Sequence, residues 1–95
     1  MAAYLVAEVE ITDPAAYEEY RKQVPAIIAQ YGGKYLARGG KVETKEGGWT
    51  PQRFVILEFP SMDQARRFYD SGEYAPVLAI RKKASKSKLI LVEGL

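Results

Sequence analysis

The sequence predicts a single α+β domain spanning residues 1–95, with the element order βαββαβ and one extra short helix. Three patterns carry this reading. Tyr4 to Ile11 alternates apolar and polar residues as a half-buried strand does. After Thr12-Asp13-Pro14, apolar residues recur at three- and four-residue steps. Glycine pairs at Gly32-Gly33, Gly39-Gly40 and Gly47-Gly48 then punctuate the middle of the chain.

In the first strand Leu5, Ala7, Val9 and Ile11 face one way, and Tyr4, Val6, Glu8 and Glu10 the other. Asp13 suits the N-cap of the helix that follows, and Pro14 its first position. That helix is predicted to reach about Tyr31, with Tyr17, Tyr20, Val24, Ile27 and Tyr31 on its apolar side and Glu18–Lys22 as an outer i,i+4 pair. Pro25 removes one intrahelical bond, which predicts a kink near Arg21. Gly32-Gly33 stops the helix.

Lys34 to Gly40 reads as a weak, glycine-ended strand at a sheet edge, followed by a loop or loose hairpin over Val42 to Gln52. Arg53 to Phe59 is a third strand, apolar on both faces, stopped by Pro60. Ser61-Met62-Asp63-Gln64 has the form of a capping box for a helix carrying Ala65, Phe68 and Tyr69. The extra helix is expected from about Glu73 to Ala84, with Tyr74, Leu78 and Arg81 along one side. Lys88 to Glu93 closes the chain as a fourth strand, again apolar on both faces.

This order is that of a ferredoxin-like domain, whose helices cover one face of the sheet. Strands apolar on both faces leave the second face in need of cover. A twofold-related second copy is the simplest cover, so the expected partner is the chain itself, in a homodimer with sheets packed face to face.

Composition narrows the chemistry. The chain has no cysteine and no histidine, which removes thiolate metal sites, disulfides, cysteine nucleophiles and the commonest metal ligand. No metal and no cofactor are expected. No apolar run approaches the roughly 20 residues that span a bilayer, and Met1-Ala2-Ala3-Tyr4 lacks a basic n-region. The expected location is therefore cytoplasmic, with no membrane partner. The charge is uneven: residues 1–80 carry 9 basic and 11 acidic groups, residues 81–95 carry 5 basic and 1 acidic. The basic group of Arg81, Lys82, Lys83, Lys86 and Lys88 reads first as a solvated helix end and loop.

A wider set of residues resembles the family called Domain of Unknown Function 1330. The set is Thr12-Asp13-Pro14 with Tyr17 and Tyr20, Tyr31-Gly32-Gly33, Arg38-Gly39-Gly40, Trp49 with Pro51 and Arg53, Glu58-Phe59-Pro60-Ser61, Phe68-Tyr69, Ser71, Glu73-Tyr74, Arg81 and Val92-Glu93-Gly94. The resemblance covers nearly the whole chain and implies the dimeric α+β barrel superfamily. Relatives in that superfamily include cofactor-independent monooxygenases, haem-degrading enzymes and small isomerases, with pockets between helices and sheet. Where the haem-degrading members use a tryptophan, a histidine ligand and an asparagine, the matching positions here are Phe68, Leu78 and Ala7. Without the axial ligand, haem degradation loses its main support.

The candidate ligand-binding residues are Arg38, Glu58, Tyr20, Tyr69, Tyr74, Arg81 and Trp49. Arg38 stands beside two glycines and can grip a carboxylate through two hydrogen bonds, or else pair with Glu8 or Glu58 at the dimer seam. Glu58 ends an apolar strand, where burial would favour its protonated form, unless Arg53 or Arg81 pairs with it. Tyr20, Tyr69 and Tyr74 suit a helix–sheet pocket and equally an amphipathic core. Trp49, on a glycine-rich loop, suits a partner subunit, a pocket mouth or the domain's own surface. Arg81 and Arg38 together would form an anion site.

Three functions follow. The first is a dimer that binds a small organic anion or polyketide-like aromatic. If catalytic, it would act by proton abstraction or cofactor-free oxygenation, with Glu58 or a tyrosine as acid–base group. The second is a non-catalytic stress or regulatory dimer. The third, RNA binding through the Arg53–Phe59 strand, lacks the glycines of the RNA-recognition motif, and the dimer would bury that face.

Overall fold

The computed structural model describes residues 1–95, in the order β1 (Ala3–Ile11), α1 (Pro14–Gln30), β2 (Lys34–Arg38), β3 (Arg53–Phe59), α2 (Met62–Tyr69), α3 (Ala75–Ala84) and β4 (Ser85–Glu93). The strands form one antiparallel sheet in the order β2-β3-β1-β4, so β2 lies at an edge as its glycines predict. The α+β ferredoxin-like architecture is the one expected. Its core sits between the helices and the inner face of the sheet, where Leu5 pairs with Leu57 and Leu91, and Ala7 with Val55 and Leu89.

Local chemistry sets most boundaries. Asp13 Oδ1 accepts from Ala16 N at 3.2 Å and starts α1, which continues through Pro25. The buried side of α1 is Tyr17, Val24 and Ile28; Tyr20, Ile27 and Tyr31 are half-buried. Glu18 pairs with Arg21 at 3.4 Å and Glu19 with Lys22 at 3.7 Å, one residue tighter than the predicted Glu18–Lys22 pair. Ser61 Oγ accepts from Gln64 N at 3.1 Å, which is half of the capping box. The Gln64 amide instead donates to Tyr31 O at 3.0 Å, so it ties α2 to the end of α1.

Two boundaries differ from expectation for tertiary reasons. β4 begins at Ser85 rather than Lys88, because β1 pairs along its whole length: Ile11 opposes Ser85, Glu10 opposes Lys86 and Glu8 opposes Lys88. The supposed basic loop is thus a strand whose lysines oppose glutamates. α3 begins at Ala75, because Ser71 uses the preceding residues for a turn. Its Oγ donates to Phe68 O at 2.8 Å and accepts from Tyr74 N at 3.1 Å. That turn buries Tyr74 completely and aims it at α1.

The outer face of the sheet is apolar along its middle. Val6 and Ile56 oppose each other, Ile90 opposes Val6, and Val92 opposes Tyr4. Ile90 and Val92 are exposed, and no helix covers this face.

Candidate functional site

A cavity of about 160 Å³ lies between α1, α3 and the inner face of the sheet. Leu5, Ala7, Val55, Leu57, Phe68 and Leu89 supply its apolar walls. Two polar groups meet it. One is Tyr20, Tyr74 and Arg81, brought together from α1, the α2–α3 turn and α3. The other is Tyr35, Arg38 and Arg53, from β2 and β3.

The first group is held from several directions. The Tyr20 and Tyr74 hydroxyls lie 2.8 Å apart. Tyr74 stacks on Phe68 at 4.4 Å between ring centres, and Phe68 on Phe59 at 5.4 Å. Arg81 is 5 % exposed, and the end of α3 is clamped onto the β1–α1 turn by Thr12 N and Asp13 N, which both donate to Ala84 O. Burial, and then the neighbouring Tyr74, push the Tyr20 hydroxyl well above the usual tyrosine range. Burial also raises Tyr74, against the opposing pull of the Arg81 guanidinium. Both hydroxyls are therefore neutral donors at physiological pH.

In the second group Arg53 extends from β3 with its guanidinium 5.7 Å from the centre of the Tyr17 ring, and Arg38 lies 4.6 Å from that of Tyr35. Burial raises Tyr35, and Arg38 opposes the shift. Gly39 has φ +71° and donates its N–H to Phe54 O at 2.9 Å; a Cβ there would strike the Arg53 guanidinium. The glycine beside Arg38 thus makes room for an arginine rather than for a ligand.

Charge is the unusual property of this cavity. The chain's six ion pairs include neither Arg53 nor Arg81, and the Nε of each is buried without a hydrogen-bond partner. The lining carboxylate, Glu18, is exposed and already pairs with Arg21. A buried guanidinium without a counter-charge is costly, and an anion entering the cavity would satisfy it. Such an anion would meet two cations, and hydroxyls that can only donate strongly while they stay neutral.

The structure gathers four of the candidate residues at this cavity: Tyr20, Tyr74, Arg38 and Arg81. Tyr69 packs on Tyr74 at 5.9 Å but does not line it. Glu58 is on the outer face, opposite Tyr4, and pairs with Lys34 at 3.2 Å rather than with Arg53 or Arg81. Glu58 therefore does not line the cavity. Trp49 also lies on the outer face, 5.8 Å from Phe54, with Nε1 donating to Glu8 Oε2 at 2.6 Å. It covers the domain's own sheet. Tyr35 also lines the cavity without being a candidate, and so does Arg53, which the sequence offers only as a partner for Glu58. The signal for Arg53 was parity: position 53 shares the inward face with Val55, Leu57 and Phe59.

These features define a ferredoxin-like α+β protein with an arginine-lined cavity between helices and sheet. The chain belongs to the family of Domain of unknown function (DUF1330), which it matches over residues 2–95. No curated protein matches it. Among solved structures it is similar to a protein of unknown function from Rhodopseudomonas palustris, at 18% identity over 99% of this chain and 82% of that one, with a TM-score of 0.76. It is also similar to SnoaB, a cofactor-independent oxygenase from Streptomyces nogalater (17% identity, 99% and 93% coverage, TM-score 0.71). A dimeric ferredoxin-like protein of unknown function from Thermobifida fusca has 17% identity, 99% and 92% coverage and a TM-score of 0.69. At these identities the likeness concerns the fold.

Proposed function

We propose that this protein is a homodimer that binds a small organic anion, aromatic in its body, in the cavity between α1, α3 and the sheet. The observation that carries this reading is the pair of arginines, Arg53 and Arg81, facing an apolar cavity without an acidic partner. Exposed Arg21, Lys22 and Arg38 on the same lining outnumber Glu18 and favour the approach of anions. Dimerisation through the outer face is supported by its uncovered apolar middle and by the dimeric state of the Thermobifida fusca relative.

The reading extends to cofactor-independent oxygenation or isomerisation, in which the bound anion is itself the reactive species. Arg81 and the neutral tyrosine hydroxyls are groups that stabilise an enolate or phenolate. The likeness to SnoaB supports this as analogy of fold. A non-catalytic binding dimer is the second reading, favoured by one specific feature: the cavity offers no free carboxylate to remove a proton.

Thermal-shift measurements with a panel of aromatic and aliphatic carboxylates test binding, since a ligand of the folded state raises the melting temperature. The expected result is a concentration-dependent rise that an Arg53→Gln, Arg81→Gln double variant loses. A panel without any shift would refute the reading. Oxygen uptake with a binding acid then separates oxygenase from binder.

A further inference from the structure

The geometry points to a ligand class narrower than organic anions at large: a monocarboxylate with a body of one ring, its carboxylate on Arg81 and the Tyr20 and Tyr74 hydroxyls. This rests on the cavity being a binding site, and adds what it selects.

Size sets the body. A cavity near 150 Å³ with apolar walls holds one benzene ring, whereas drug-sized ligands need roughly 300 Å³ or more. The cavity here is about 160 Å³, close to the one-ring case and well short of the drug-sized one. Its walls at Leu5, Leu57 and Phe68 are apolar and suit an aromatic or alicyclic ring.

Charge sets the head and its position. Arg81 is the more deeply buried of the two unpaired arginines, at 5 % exposure, and Arg53 is only half-buried. A charge interaction strengthens as water is excluded, so the deeper guanidinium gains more from an incoming carboxylate. The hydroxyl partners reinforce this choice. The Tyr20 and Tyr74 hydroxyls share a single proton between them, with the Arg81 guanidinium beside Tyr74, which leaves one hydroxyl hydrogen free to donate to a third oxygen. Guanidinium and phenol donors converging on one point match a carboxylate, which accepts several hydrogen bonds and gives none. A neutral amide of the same shape would turn a donor toward Arg81 and lose that match.

Calorimetric titration of the full chain with benzoate, benzamide and 2-naphthoate tests this. Benzoate is expected to bind at least tenfold more tightly than either benzamide or 2-naphthoate. Arg81→Gln should reduce benzoate affinity at least tenfold and leave benzamide unchanged, while Arg53→Gln should have the smaller effect. Benzamide or 2-naphthoate binding as tightly as benzoate would overturn the inference while leaving the cavity a binding site. So would a loss of benzoate greater in Arg53→Gln than in Arg81→Gln. If none of the three compounds binds while another carboxylate of the thermal-shift panel does, the inference falls and the proposed function stands; if no acid of the panel binds either, both fall. The comparison among ligands needs no variant, so it decides the matter even if an Arg81 replacement misfolds.

Discussion

The hydroxyl of Tyr20 lies 2.8 Å from that of Tyr74, joining residues 54 positions apart across α1 and the turn before α3. This contact lies in the lining of the cavity. It also stores a pH dependence.

Alkali should weaken the protein through this pair. Burial raises both hydroxyls above their ordinary value of 10.0, with Arg81 as the nearest cation and the Tyr17 and Tyr69 side chains facing them as well. A group whose folded pKa is raised stabilises fully below the unfolded value and loses that contribution as pH rises past it. Urea midpoints should therefore be flat below about pH 9 and fall above about pH 10. Tyr20→Phe with Tyr74→Phe should make that fall shallower, the remainder coming from Tyr35, which burial also raises. At neutral pH each single variant should cost about 1 kcal/mol, and the double variant less than the sum, because either single change strands a buried hydroxyl.

Arg81→Met should stabilise the unliganded protein. The arginine lacks a counter-ion, and an apolar side chain of similar length removes the desolvation cost while keeping the packing. A gain of about 1 kcal/mol or more, read as a higher thermal midpoint, is expected together with loss of acid binding. A clear drop in midpoint would mean that Arg81 is satisfied by something within the fold.

Gly39→Ala should destabilise by about 1–2 kcal/mol, since its backbone is left-handed and its missing Cβ is where the Arg53 guanidinium passes. Gly40→Ala is the control: nothing lies within 4 Å of its missing Cβ, and its φ is not positive. Chemical denaturation of the two variants side by side gives the comparison.

Ile90→Lys should produce a folded monomer. Ile90 is 61% exposed on the outer face, on the edge strand β4 beside Val6. Light scattering of the wild-type chain at micromolar concentration should give the mass of a dimer, and the variant half of it, with unchanged circular dichroism. A monomeric wild-type chain would remove the face-to-face dimer.

Much of the fold was legible because it is written in short-range chemistry. Asp13 caps α1, Ser61 caps α2, Gly39 ends β2, and strict alternation marks β1. The apolar outer face was equally legible, since Val6, Ile56, Ile90 and Val92 hold the second parity of their strands.

Assignment to the cavity was a different matter. Parity or helical phase tells which side of its own element a residue takes, not what meets it from another. Arg53 and Glu58 stand on the same strand five positions apart, so they point to opposite faces: Arg53 into the cavity, Glu58 outward to Lys34. Tyr20, Tyr74 and Arg81 converge only because the Ser71 turn and the Ala84 clamp set α3 against α1. Local sequence thus settled the elements and their greasy sides. Only packing across the chain decided which charges lost their water, because desolvation depends on everything that closes around a group.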